Sequence, residues 1–288
     1  MTDLRLAPLR VLWVTLPFTL GPLLAAALEP RARGFRATVS TVSWFAWGVV
    51  LLACLIPRVE SLTFVRVVVP SAAPAAIWAS FVHELDWRAA LGVAASVALT
   101  IAVLAAPVGD AFVNGSSYGD ERRMPLRPPG LLVLGPIELA WVVGVTGFAA
   151  GPLLLASEHW VAGTVVALLG VVVAAIAVRA LHQLSRRWLV FVPAGFVIHD
   201  HLALAEPVLF RRADVVSLAV APAGTTATDL TAGSLGIALE ADLASPVRIT
   251  PARRAPTLEQ VDVERVLFAP TRPGAALAEA RRRRLPVQ

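Results

Sequence analysis

Six separate stretches of this sequence are apolar over the length that a bilayer demands, and no other feature constrains the fold so strongly. A hydrocarbon core takes about 20 mostly apolar residues per helix, because no water is present there to pair backbone N–H and C=O groups. The stretches cover residues 11–28, 39–56, 62–82, 89–109, 131–156 and 160–178. Four contain no charge; the third carries Arg66 and the fifth Glu138. Composition agrees: 57% of residues are hydrophobic and 16% charged, against about 25% charged in soluble domains, and the mean hydropathy is +0.72. These values exclude an ordinary soluble enzyme and a disordered chain, and a single cysteine, Cys54, excludes a disulfide scaffold. The expected architecture is an α-helical transmembrane bundle of six helices over residues 1–183.

Orientation follows from arginines in short loops. All 25 basic residues are arginine, a bias expected of a high-GC genome. With the N-terminus inside, the inner segments hold Arg5, Arg10, Arg58, Arg122, Arg123, Arg127, Arg179, Arg186 and Arg187. The outer loops hold only Arg31, Arg33, Arg36 and Arg88, diluted by Glu84, Asp86 and Glu158. The expectation is a multi-pass protein of the cell (inner or plasma) membrane with both ends in the cytoplasm. Arg5, Arg10 and the Ala25–Ala27 run resemble a cleavable signal peptide. The apolar run is longer than the usual 7–15 residues, however, which favours a retained helix.

Beyond Arg179 the pattern changes. Residues 185–288 lack a membrane-length stretch and show strand-like runs instead. Trp188–Val192 and residues 196–198 flank Pro193-Ala194-Gly195, a hairpin signal. Further strands are expected over residues 207–210, Val215–Val220, 235–239, 247–250 and Val261–Phe268, with a closing helix over 275–284. Residues 184–288 therefore read as a separate cytoplasmic, mainly-β domain.

Chemistry-bearing residues are few. Arg66 and Glu138 both fall near the inner ends of their stretches, roughly 6–11 Å deep at 1.5 Å per residue. Ionisable groups at that depth are costly unless paired. An Arg66–Glu138 ion pair would fix the third helix against the fifth; the alternative is a small transporter or permease-like subunit that uses the kinked third and fifth helices with these two residues. Prolines 17, 22, 70, 74, 107, 136 and 152 mark kinks or breaks, and Gly147 and Gly151, four apart, offer a face for close helix approach. Gly21-Pro22-Leu23-Leu24 recurs as Gly151-Pro152-Leu153-Leu154, a hint of a parallel repeat. Cys54 reads as a small buried hydrophobe. His199-Asp200-His201 lacks a third ligand at metal-site spacing, and His83, Glu84, Asp86, Glu158 and His159 read as solvated loop residues. No nucleophile–base pair, Walker A or paired CxxC occurs. The reading is non-enzymatic, without metal or cofactor, and no basic-aromatic surface points to nucleic acid. Basic groups at Arg186-Arg187, Arg211-Arg212, Arg253-Arg254 and Arg281, Arg282, Arg283 and Arg284 are candidates for an anionic leaflet or a protein partner; self-association into a homo-oligomer stays open.

Residues 186–199 followed by 207–217, ending in Asp214-Val215-Val216-Ser217, resemble the opening strands of bacterial pleckstrin-homology-like domains, which occur fused to membrane helices. The resemblance covers about the last 100 residues. It implies a partly open β-barrel capped by a helix that binds proteins, lipids or its own kind, with no catalytic residues. The Gly-, Thr- and Ala-rich residues 221–236 depart from that pattern. The expected function is a membrane-tethered interaction module.

Overall fold

Proline and glycine decide where the apolar stretches are continuous. In the computed structural model, which describes residues 4–82, 86–252 and 260–288, six helices are long and apolar enough to cross a membrane. The first, Leu4–Leu28, divides at Leu20 into α1 (Ala7–Thr19) and α2 (Gly21–Leu28), just before Pro22. The second is the unbroken α3 (Arg33–Leu55). The third, Val59–Val82, consists of α4 (Val59–Val68) and α5 (Ala72–Val82) joined by a tighter 3-10 turn that contains Pro70. The fourth, α6 (Trp87–Leu104), starts with Asp86 as N-cap, its carboxylate accepting from the Ala89 N–H at 2.8 Å. This is the favoured solution for the orphan donors of a first turn.

At Ala105 the backbone turns extended, and α7 (Ala106–Asn114) follows with Pro107 in its first turn. The fifth helix, α9 (Pro136–Ala156), is continuous, with Pro152 inside it. It begins five residues later than its apolar stretch. A short α8 (Gly130–Val133) and Gly135, at φ 141°, precede it. The sixth is α10 (Trp160–Ser185). Gly21-Pro22 thus sits at a helix break and Gly151-Pro152 within an unbroken helix, so the sequence echo has no counterpart in local structure.

Only 11% of an 18-residue apolar window in the second and fifth helices is buried within the protein. Phe45, Phe81, Leu168 and Ile176 are all more than three-fifths exposed. Soluble monomers seldom expose apolar patches beyond a few hundred Å², so these faces suit lipid.

The chain divides into two compact units, Met1–Gly115 with Glu138–His182, and Ser116–Ile137 with Gln183–Gln288. The second therefore does not begin at residue 184 alone, as the sequence suggested. The connector between the fourth and fifth helices supplies β1 (Arg122–Pro125) to a sheet completed by β2 (Trp188–Val192), β3 (Gly195–His199) and β4 (Val208–Arg211), in the order β1-β2-β3-β4 and antiparallel throughout. Proline is tolerated at such an edge. Backbone bonds continue the join: Arg127 N–H to the Ala269 carbonyl, Thr271 N–H to that of Pro125, and Gly130 N–H to that of Gly233. The second sheet, ordered β5-β7-β8-β6, contains β5 (Val215–Val220), β6 (Thr228–Asp229), β7 (Leu239–Ile249) and β8 (Val261–Phe268). Its β6–β8 pair is parallel, and its β5–β7 and β7–β8 pairs are antiparallel.

The strands expected at 235–239 and 247–250 differ from those observed. β7 starts only at Leu239 and runs through to Ile249, its register shifting between Asp242 and Val247. Pro246 sits in that irregular stretch, where a missing ladder donor does least harm. Both sheets share one core in which Phe196 packs against Phe191, Phe210 and Phe268, with ring centroids 5.1–6.4 Å apart. α11 (Pro273–Arg282) closes it with Ala276, Leu277 and Ala280.

Candidate functional site

Arg66 and Glu138 do not meet. Glu138 lies in the first turn of α9 and is exposed, because the helix starts at Pro136 rather than at residue 131. There a carboxylate complements the positive end of the helix dipole. Arg66, in α4, is half-buried, and its Nε is buried without a hydrogen-bond partner. Other polar contacts join these helices. The Trp141 indole N–H donates to the Val67 carbonyl at 2.8 Å, and the Thr63 hydroxyl lies 2.8 Å from His182 Nδ1. The third helix is thus held to the fifth and sixth without an ion pair.

Two polar contacts within the helical unit escaped the sequence reading. Asp110, just past the apolar stretch that ended at residue 109, is fully buried in α7, with Arg5 at 3.9 Å. Arg10 donates through Nε and Nη2 to the Cys54 carbonyl at 3.1 and 2.8 Å, satisfying a C-terminal carbonyl of α3. Cys54 itself is buried, as expected.

The basic groups of the β-unit separate into different roles. Arg187, expected at a surface, is 1% exposed and forms a two-pronged ion pair with Asp200: Nε donates to Oδ1 and Nη2 to Oδ2, each at 2.7 Å. Its Nη1 donates to the Arg127 carbonyl of the connector at 2.7 Å. This arginine cannot reach a membrane or partner; it locks the connector to the β2–β3 hairpin. Arg283 and Arg282 hold Glu279 at 2.7 and 2.8 Å, and Arg283 also donates to the Asp120 carbonyl. Burial alone would raise the Glu279 pKa, but its bonds from both arginines outweigh that and hold it below the usual carboxylate range. Arg211, Arg212, Arg281 and Arg284 are exposed. Arg211 points outward because β4 alternates buried Val208 and Phe210 with exposed Leu209 and Arg211. Arg253 and Arg254 lie outside the described residues, as do His83 and Glu84.

These arginines do not form one patch. In the first sheet, Arg211 pairs with Gly195 and Arg122 with Phe191, so both lie at the β2–β3 turn. Arg186 lies at the other end, where Trp188 pairs with His199. β2 has five residues, and the ends are therefore roughly 15 Å apart.

The Arg186 end contains a cavity of about 300 Å³ lined by Gln183, Arg186, His199, Asp200, His201 and Pro207. The His199 ring stacks on Trp188, centroids 4.8 Å apart, and its buried Nδ1 has no partner. Asp200, the cavity's carboxylate, is already used by Arg187 and by the Leu202 N–H at 3.0 Å. His201 is exposed. Desolvation lowers its pKa, Asp200 opposes that, and Arg187, His199 and Arg186 add to the lowering. Among the described residues no group of three or more His, Cys, Asp or Glu could hold a metal ion. The cavity therefore offers donors and positive charge around a carboxylate that is already neutralised.

Comparison with protein-family models, with curated proteins and with solved structures gives no match to this chain.

Proposed function

We propose that the six-helix unit anchors the protein in the cell membrane and that the β-unit acts as an interaction module at the inner face, recruiting a protein partner or lipid headgroups without catalysing a reaction. One observation carries this reading. The β-unit is assembled from two chain segments, Ser116–Ile137 and Gln183–Gln288, separated in sequence by the fifth and sixth apolar helices. A module built in this way completes its first sheet only once both intervening helices have been made, so a finished binding surface accompanies a finished anchor. Two sheets around one core with a closing C-terminal helix also agree with the pleckstrin-homology-like description. The arginine distribution supports an inner location for the module. The alternative, a small transporter or permease-like subunit using kinked helices with Arg66 and Glu138, has no further observation in its favour.

In-cell photocrosslinking tests the proposal. A photoreactive residue at exposed Val216 or Arg211 should give discrete protein or lipid adducts, and one at lipid-facing Ile101 should give lipid adducts alone. Absence of adducts at both β-unit positions, in cells where Ile101 reacts, overturns it.

A further inference from the structure

We infer that the cavity between the end of α10 and β3 binds an anionic phosphate group, presented by a lipid headgroup or by a soluble phosphate. The inference deepens the recruitment reading and rests on it only for its cellular meaning. Four residues with N–H donors are among those that line the cavity: Gln183, the exposed Arg186, His199 and His201. An arginine presents a fork of N–H groups matched to phosphate oxygens, and an imidazole N–H adds a directional bond.

The cavity's carboxylate does not repel such a ligand. Both Asp200 oxygens accept from Arg187 at 2.7 Å, and the bonds that hold Asp200 leave the cavity's other groups free. Glu206, exposed, stands in sequence between the lining residues Ala205 and Pro207. A cation is disfavoured for the same reasons, since Arg186 stands beside the two imidazoles and Asp200 is committed. Position favours a lipid source: α10, the last membrane-length helix, ends at Ser185, and Arg186 follows directly. Basic groups next to a membrane helix meet the anionic inner leaflet. Trp188, stacked on His199 and faced by the Arg123 guanidinium at 5.8 Å, fixes the ring that forms the cavity wall.

The test uses the full chain in phosphatidylcholine nanodiscs with or without phosphatidic acid, bound lipid being counted by native mass spectrometry, and inorganic phosphate titrated calorimetrically in parallel. Phosphatidic acid should bind, and Arg186→Gln and His201→Gln should each weaken it about tenfold or more, the usual worth of a charge-assisted bond. Arg212→Gln, at the far end of the sheet, should leave affinity unchanged. Binding of the lipid alone identifies a headgroup site; binding of inorganic phosphate with the same variant pattern identifies a soluble source. Wild-type affinity in both Arg186→Gln and His201→Gln overturns the inference. So does Zn²⁺ binding that needs both histidines and tightens in Arg186→Gln. Crosslinking at Val216 and Arg211 reads recruitment independently, so either idea can fail without the other.

Discussion

Adjacent arginines in this chain have opposite fates, and strand geometry decides between them. Arg186 is exposed while Arg187 is buried against Asp200. The pairing was within reach of the sequence. Once Pro193-Ala194 is taken as the turn, Trp188 stands opposite His199, and extending the register by one pair sets residue 187 opposite 200. Reading the arginines as like members of a basic group concealed it. Removing one partner from a buried pair strands the other charge, at a cost of about 3–5 kcal/mol. Arg187→Met should therefore lower the melting temperature of the full-length protein sharply, and Arg187→Met with Asp200→Leu should recover most of the loss. Glu279 supplies a pH-dependent counterpart. Its folded pKa is depressed, so its contribution is complete above the unfolded value and disappears as pH falls through the folded one. Glu279→Gln should destabilise at pH 7, and the difference from wild type should shrink on acidification below about pH 4.3. A constant gap in melting temperature across that range would refute this account.

At the scale of elements, the fifth and sixth helices meet along small residues. A Cβ added to Gly147 would stand 3.0 Å from the Gly170 carbonyl oxygen, and one added to Gly144 would stand 3.3 Å from the Ala177 Cβ. Gly163 lies against Leu155 farther along, and Gly151 against Ala167. Small residues let backbones approach where packing, rather than water expulsion, holds helices together. The Gly147/Gly151 spacing pointed to this face; its partner on α10 required the antiparallel register of the folded pair. Gly147→Leu should cost about 1–3 kcal/mol by overpacking, read as a lower melting temperature in detergent. Gly48→Leu, at a position with nothing within 4 Å of an added Cβ, should be neutral. Helix number was legible because apolar length alone specifies it. Helix ends were less so. Gly135-Pro136 is a start signal, and giving it weight would have moved Glu138 from the membrane interior to a first turn.

For the whole molecule, six helices are long and apolar enough to cross a membrane, and six crossings would place both chain ends on one side. Reporters fused before Met1 and after Gln288 should both be active only in the cytoplasm; activity of either one outside would break the topology. The connector gives a second prediction. Replacing residues 116–130 by a flexible Gly-Ser linker of equal length should make the β-unit susceptible to protease, though residues 183–288 remain intact, because Leu189 and Phe191 would lose their edge strand and Arg187 the Arg127 carbonyl. Protease resistance equal to wild type would show that β1 is dispensable. Local chemistry in the sequence by itself determined how many helices could span lipid, where proline and glycine interrupt them, and that a strand-rich tail with a closing helix follows. Those properties depend on runs of neighbouring residues. Only the tertiary structure decided that a proline-flanked connector completes the tail's sheet, that Arg187 is internal, and that Arg66 and Glu138 stay apart. Each of these depends on groups far apart along the chain, whose meeting is set by register and by where a helix begins.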